Sequence, residues 1–110
     1  MNAARPDETR IGNGVTIDRD RIAEFCRRWR IHELALFGSV LRSDFRSDSD
    51  IDVLVSFAPD APWSLLDFVG MEAELAMLLG RAVDVVELRA LVNPFRRREI
   101  LSRTEVLYAA

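Results

Sequence analysis

Apolar residues along the chain follow two alternating periods. After Asp18 they fall at Ile22, Phe25, Cys26 and Trp29, the i, i+3, i+4, i+7 spacing of one helix face. Asp18 suits the N-cap of that helix, and Arg19, Arg21, Glu24, Arg27 and Arg28 fall on its solvent side. "LALF", residues 34–37, is a short unbroken apolar run ending at Gly38, the mark of a buried strand. Residues 39–43 fit a short helical turn. Residues 51–57 then alternate, with Ile51, Val53, Val55 and Phe57 on one face and Asp52, Leu54 and Ser56 on the other.

Pro59 and Pro62 break the chain before a capping-box pair, Ser64 and Asp67. The helix this pair opens carries Phe68, Met71, Leu75, Leu78 and Leu79 on one side and stops at Gly80. Residues 82–88 predict a third strand. Asn93 and Pro94 suit N-cap and N1 of a last helix, whose apolar pattern (Phe95, Ile100, Leu101) is weak, and residues 105–108 suit a short edge strand. Residues 1 to about 15, with Pro6, Gly12 and Gly14, read as a mobile N-terminal arm, leaving 16–110 as a single domain. The resulting order predicts an α/β (α+β) domain, a small mixed central sheet flanked by helices.

Composition narrows the function more than the fold. At 110 residues the chain suits one domain, and 49% hydrophobic with 30% charged residues is ordinary for a soluble one. No apolar run approaches the roughly 20 residues that span a bilayer. The N-terminus has no apolar signal core and Cys26 stands alone, so the expected location is cytoplasmic. A net charge of −3 argues against non-specific nucleic-acid binding. All 15 basic residues are arginine, which excludes a Schiff-base or P-loop lysine and fits biased genome composition better than selection for chemistry.

The informative stretch is "GSVLRSDFRSDSDIDVLV", residues 38–55. Residues two apart in a strand share a face, so Asp50 and Asp52 converge where an apolar strand begins. Two carboxylates in a partly dry cleft repel unless a cation lies between them, and Mg²⁺, bound through one or two carboxylates plus substrate phosphates, suits that place. A lone Asp-x-Asp at a strand entrance is more often a solvated turn or cap. Two features shift the balance here. Asp84 puts a third carboxylate inside an apolar strand between Val83 and Val85, where a charge is costly without a partner. Gly38 and Ser39 follow a buried strand and open a helical turn, where backbone N–H groups and a hydroxyl can hold phosphate oxygens. The combination outlines phosphoryl or nucleotidyl transfer, with metal ions clamping an in-line displacement.

Gly38-Ser39, Arg42, Ser49, Asp50 and Asp52, with the later Asp84, resemble the signature of DNA polymerase β-like nucleotidyltransferases. The size and residues 64–88 resemble more narrowly the minimal nucleotidyltransferases (MNT), antitoxins paired with HEPN-domain ribonuclease toxins. The resemblance covers about residues 18–108. It implies that Gly38 and Ser39 hold the triphosphate of ATP, that Arg42 steadies phosphate charge or the loop, and that Ser49 orients the loop. It implies two Mg²⁺ ions on Asp50 and Asp52. Asp84 would complete one metal site and help deprotonate the acceptor hydroxyl. The implied reaction moves AMP from ATP to a tyrosine of a HEPN toxin and releases pyrophosphate. Ser43 departs from the family pattern, which commonly has glycine there.

A core of this length is expected to leave no room for a second domain gripping a large acceptor, so the expected acceptor is either small or a partner protein's own hydroxyl. Two other readings compete with adenylylation of a toxin: an idle antitoxin that acts by occlusion, and a nucleotidyltransferase acting on a small hydroxylated molecule. The presence of all three aspartates favours the active enzyme. His32, the sole histidine, reads as a surface or packing residue. Arg96, Arg97 and Arg98 read as a solvated helix face, Trp63 as a cover over the core at a helix entrance, and Asp44 and Arg46 as loop charges.

Overall fold

Helix boundaries lie where side chains satisfy the end groups. In the computed structural model, which describes residues 8–11, 15–42, 46 and 48–110, α1 spans Arg19–Arg28. The Asp18 carboxylate accepts the N–H groups of Asp20 and Arg21 at 3.1 and 3.2 Å, and a cap of this kind stabilises a helix by about 1 kcal/mol. Ahead of it, β1 (Glu8–Ile11) pairs antiparallel with β2 (Val15–Asp18). The low apolar content of residues 1–15 did not predict these strands. The arm expected there lies partly outside the described residues, and its described part is paired.

β3 (Ile31–Phe37) begins three residues earlier than the apolar run, because exposed His32 and half-buried Glu33 continue the same extended backbone. A 3₁₀ turn, Gly38–Leu41, follows, and then β4 (Ile51–Phe57). α2 (Leu65–Leu79) starts with the expected reciprocal capping box of Ser64 and Asp67 and stops at Gly80, whose φ of +69° suits a residue without Cβ. β5 (Val83–Glu87), a short 3₁₀ turn, α3 (Pro94–Ser102) and β6 (Thr104–Ala109) complete the fold. The strands of the main sheet lie in the order β5-β4-β3-β6, with β4/β5 parallel and the other two pairs antiparallel.

The two faces of this sheet are unequal. α1 and α2 cover one face, burying Ile22, Phe25, Cys26, Leu34, Leu36, Val53, Val55, Met71 and Leu75 in the main core. Burial pushes the Cys26 thiol up to about 12, so it stays protonated and packs as a small hydrophobe. Trp63 seals the edge of this core, donating its indole N–H to the Trp29 carbonyl at 2.6 Å and meeting the Trp29 ring edge-on at 5.0 Å. The other face buries a smaller cluster, Phe37, Leu54, Leu91 and Ile100 under α3, with Val86 and Leu88 packed half-buried against it. One turn of α3 suffices to cover that small patch, so Phe95, expected to help bury the helix, is 81% exposed and only Ile100 is hidden. Beyond the patch this face lies open.

Both sheet edges are occupied by side chains. The Val85 N–H on β5 donates to Glu72 of α2 at 3.2 Å, and Arg19 donates to the Leu107 carbonyl on β6 at 3.3 Å. Such contacts discourage further strand pairing. Among the described residues, no helix is long and apolar enough to cross a membrane.

Candidate functional site

The open end of the α3 face is where the predicted acidic residues gather. Leu54 lies on this face, and so does Asp52 two residues earlier in β4. The parallel register sets Asp52 directly beside Asp84 of β5, and the antiparallel register sets Phe37 on its other side. Strands lie about 4.8 Å apart, so the two carboxylates are lateral neighbours on one sheet face. The cost expected for a charge at Asp84 between Val83 and Val85 does not arise. Val85 turns into the main core, whereas Asp84 is exposed on the opposite face. It owes its place to register, at no cost of burial.

Asp50 immediately precedes β4 and is exposed. The chain holds it near β5 through main-chain contacts. The Ile51 N–H donates to the Ala82 carbonyl at 3.0 Å, and the Arg81 guanidinium donates to the carbonyls of Arg46 and Ser49, both at 2.8 Å. Sequence reading missed Arg81 because its acceptors are backbone oxygens far away in the chain. Ser49 closes a turn by donating its N–H to the Arg46 carbonyl at 3.1 Å. Arg81→Ala is expected to cost about 1–2 kcal/mol, as for hydrogen bonds from a charged donor at a partly wet site, measured by urea unfolding. It should also raise the Mg²⁺ concentration needed for half of any cation-induced thermal shift, because the segment leading into Asp50 is freed. An unchanged requirement would separate Arg81 from the site.

The turn after β3 completes the arrangement. Gly38 has φ of +74°, and a Cβ there would collide with Asp52 Oδ2 and lie 3.2 Å from its Cγ. Glycine therefore lets the backbone run against the carboxylate, with the Ser39 backbone near enough to favour its charged form. Burial raises the pKa of Asp52 above the usual carboxylate range, and the charges of Asp84 and Asp50 add to the rise. The Ser39 backbone and the Arg96 charge pull the other way. Arg42 ends the turn, exposed, with its N–H on the Ser39 carbonyl at 2.9 Å. Ser43 lies outside the described residues, as does Asp44.

The structure thus brings Gly38, Ser39, Asp52 and Asp84 together directly, with Asp50 close enough for its charge to reach Asp52. Among the described residues, no three or more His, Cys, Asp or Glu side chains already form a ligand cluster. Carboxylates that repel at Asp52, supply hard oxygen donors and form no closed cage fit Mg²⁺, which takes part of its shell from substrate oxygens. A cleft of about 640 Å³ adjoins this row, lined by Phe37, Gly38, Leu41, Arg96, Ile100 and Arg103 among others. Sequence reading had placed Arg96 on a solvated face. It is exposed, but it stands at this cleft.

Comparison with known proteins identifies the family. A family model described as Nucleotidyltransferase domain matches residues 19–107. Over 63 residues the chain is 43% identical to a protein from Thermococcus cleftensis named protein adenylyltransferase MntA, a match covering 57% of this chain and 62% of that protein's length. A solved structure assigned to a minimal nucleotidyltransferase aligns with a TM-score of 0.65 at 36% identity, covering 78% of this chain and 85% of the other. A chain from a complex of a tri-AMPylated Shewanella oneidensis HEPN toxin with its MNT antitoxin shares the fold, with a TM-score of 0.59 at 22% identity, covering 84% of this chain and 70% of the other.

Proposed function

The chain belongs to the nucleotidyltransferase domain family, and from that premise we propose that it transfers AMP from ATP to a tyrosine hydroxyl of a HEPN-type toxin, silencing it as its antitoxin. The observation that carries this reading is the lateral pair Asp52–Asp84 set against the Gly38–Ser39 turn. The resemblance to an adenylyltransferase and to the antitoxin chain of an AMPylated toxin complex supports the choice of nucleotide and partner.

In this proposal Asp50, Asp52 and Asp84 hold Mg²⁺, which supplies Lewis-acid stabilisation of charge on the phosphate oxygens. The Gly38–Ser39 backbone, free of any Cβ at Gly38, lets the triphosphate approach closely. Arg42 supplies positive charge at the end of the same turn, and Ser49 keeps the loop before Asp50 in place. The acceptor oxygen forms a bond to the α-phosphorus while the bond from that phosphorus to the α,β-bridging oxygen breaks. The electron pair of the broken bond leaves with pyrophosphate. Asp84, exposed on the open face, takes the acceptor's proton. Such a site works by positioning and charge stabilisation, with no covalent intermediate on the protein.

The test is the intact mass of the cognate HEPN protein after incubation with this protein, ATP and Mg²⁺. A gain of one or more AMP units, absent with the Asp52→Asn variant, is the expected result. A stable complex with no gain in mass would overturn transfer in favour of occlusion. Transfer to small hydroxylated molecules without any protein acceptor would overturn the choice of partner.

A further inference from the structure

The cleft beside Gly38 has a charged wall that the aspartates and the phosphate-facing turn do not account for. Arg96 and Glu99, at i and i+3 on α3, line it together with Arg103, the extended residue that caps the helix C-terminus, and all three share the cleft with Gly38. The three consecutive arginines separate here. Arg97 turns away to donate to the Leu88 carbonyl at 3.2 Å, and Arg98 does not line the cleft. Among the described residues, the Arg96 guanidinium makes no hydrogen bond or ion pair, yet it lies close enough to Asp52 for its charge to be felt there. An arginine with no hydrogen bond or ion pair among the described residues, lining a cleft that adjoins the carboxylate row at Gly38, is placed for an anion shared with those carboxylates through a cation.

Resting on the nucleotidyl-transfer reading, we propose that Arg96, helped by Arg103, binds the β- and γ-phosphates of the nucleoside triphosphate and holds them as pyrophosphate leaves. The cleft volume of about 640 Å³ exceeds what a pyrophosphate needs and leaves room for its water shell. A guanidinium matches phosphate geometry with two parallel N–H donors, which an ammonium does not. Glu99 between the two arginines limits the net charge of the wall, so it favours a released product over a trapped one. When the α–β bond breaks, negative charge builds on the bridging oxygen of the leaving group. Arg96 stands on the side where that group must lie if the α-phosphate sits over Asp52 and Asp84.

The experiment compares thermal stabilisation of the whole chain by Mg²⁺ with pyrophosphate, and by Mg²⁺ with AMP, in wild type, Arg96→Ala, Arg96→Lys and Arg98→Ala. Wild type and Arg98→Ala are expected to give equal shifts with both ligands. Arg96→Ala should weaken pyrophosphate binding roughly tenfold or more, as loss of a charged hydrogen-bond donor implies, while AMP binding stays unchanged. Arg96→Lys should restore only part of the loss. Equal pyrophosphate affinity in Arg96→Ala and wild type, or equal losses for AMP and pyrophosphate, would overturn the assignment of Arg96 alone. If neither pyrophosphate nor ATP stabilises the wild type with Mg²⁺, the nucleotidyl-transfer reading fails, and this inference falls with it.

Discussion

Asp52→Asn is expected to reduce AMP transfer by roughly 10²–10³-fold while making the cation-free protein more stable. The two effects share one cause. Burial, then the neighbouring charge of Asp84, raises the pKa of Asp52, with Asp50 adding to the rise. A pKa raised in the folded state means that folding favours the protonated acid. The resulting penalty is absent below the unfolded value of 3.8 and complete once the pH passes the folded value. Above its folded value the wild type therefore bears the penalty in full. Asparagine removes it, keeps an oxygen facing the Ser39 backbone, and keeps the shape. The same substitution deletes the central oxygen donor of the acidic row, so in the proposed site Mg²⁺ would lose its best-placed ligand. Thermal melts with and without Mg²⁺ and ATP check both halves. Wild type should melt lower than the variant without the cation and gain stability when Mg²⁺ and ATP are added, whereas the variant should gain little. A variant that unfolds, or that still transfers AMP at the wild-type rate, would make Asp52 a structural residue.

What the sequence made legible is what local rules determine. The α2 cap at Ser64 and Asp67, its stop at Gly80 and the alternation of β4 all depend on residues within a few positions of one another. The expectation that Asp50 and Asp52 share a face uses the same short range, but Asp50 lies just outside β4, where strand alternation does not place it. The pairing of Asp52 with Asp84 does not, because it depends on the parallel register between β4 and β5 across the whole of α2. Sequence reading reached Asp84 through its apolar neighbours and so expected a costly charge, but the valines and the aspartate face opposite ways. Arg81 and Arg96 stayed hidden for a related reason. One acts on backbone carbonyls in a distant loop, and the other belongs to a charge run that helix periodicity alone assigns to solvent. Residues 8–18 carry too few large apolar side chains to announce the β1–β2 hairpin, which rests on backbone pairing.

The second large effect is expected at Gly38, where two costs that are usually confused can be measured apart. Gly38→Ala puts an L side chain at φ of +74°, which costs about 1–2 kcal/mol. Gly80 has φ of +69°, so Gly80→Ala bears a similar backbone penalty. Their surroundings differ. Nothing lies within 4 Å of a Cβ at Gly80, whereas one at Gly38 collides with the Asp52 carboxylate. Both variants should therefore lose stability in urea, and Gly80→Ala should still transfer AMP at the wild-type rate. Gly38→Ala must displace either the Asp52 carboxylate or the turn that carries the Ser39 N–H, and misplacement by about 1 Å at a reacting centre costs on the order of 10²-fold in rate. Comparing the two variants under single-turnover conditions subtracts the shared strain and leaves the part due to the site. If both lose activity equally, the effect is one of folding, and the close approach of Gly38 to Asp52 plays no part in holding the nucleotide. A loss confined to Gly38→Ala would identify the missing Cβ as what allows backbone, carboxylate and phosphate to occupy the same few ångströms.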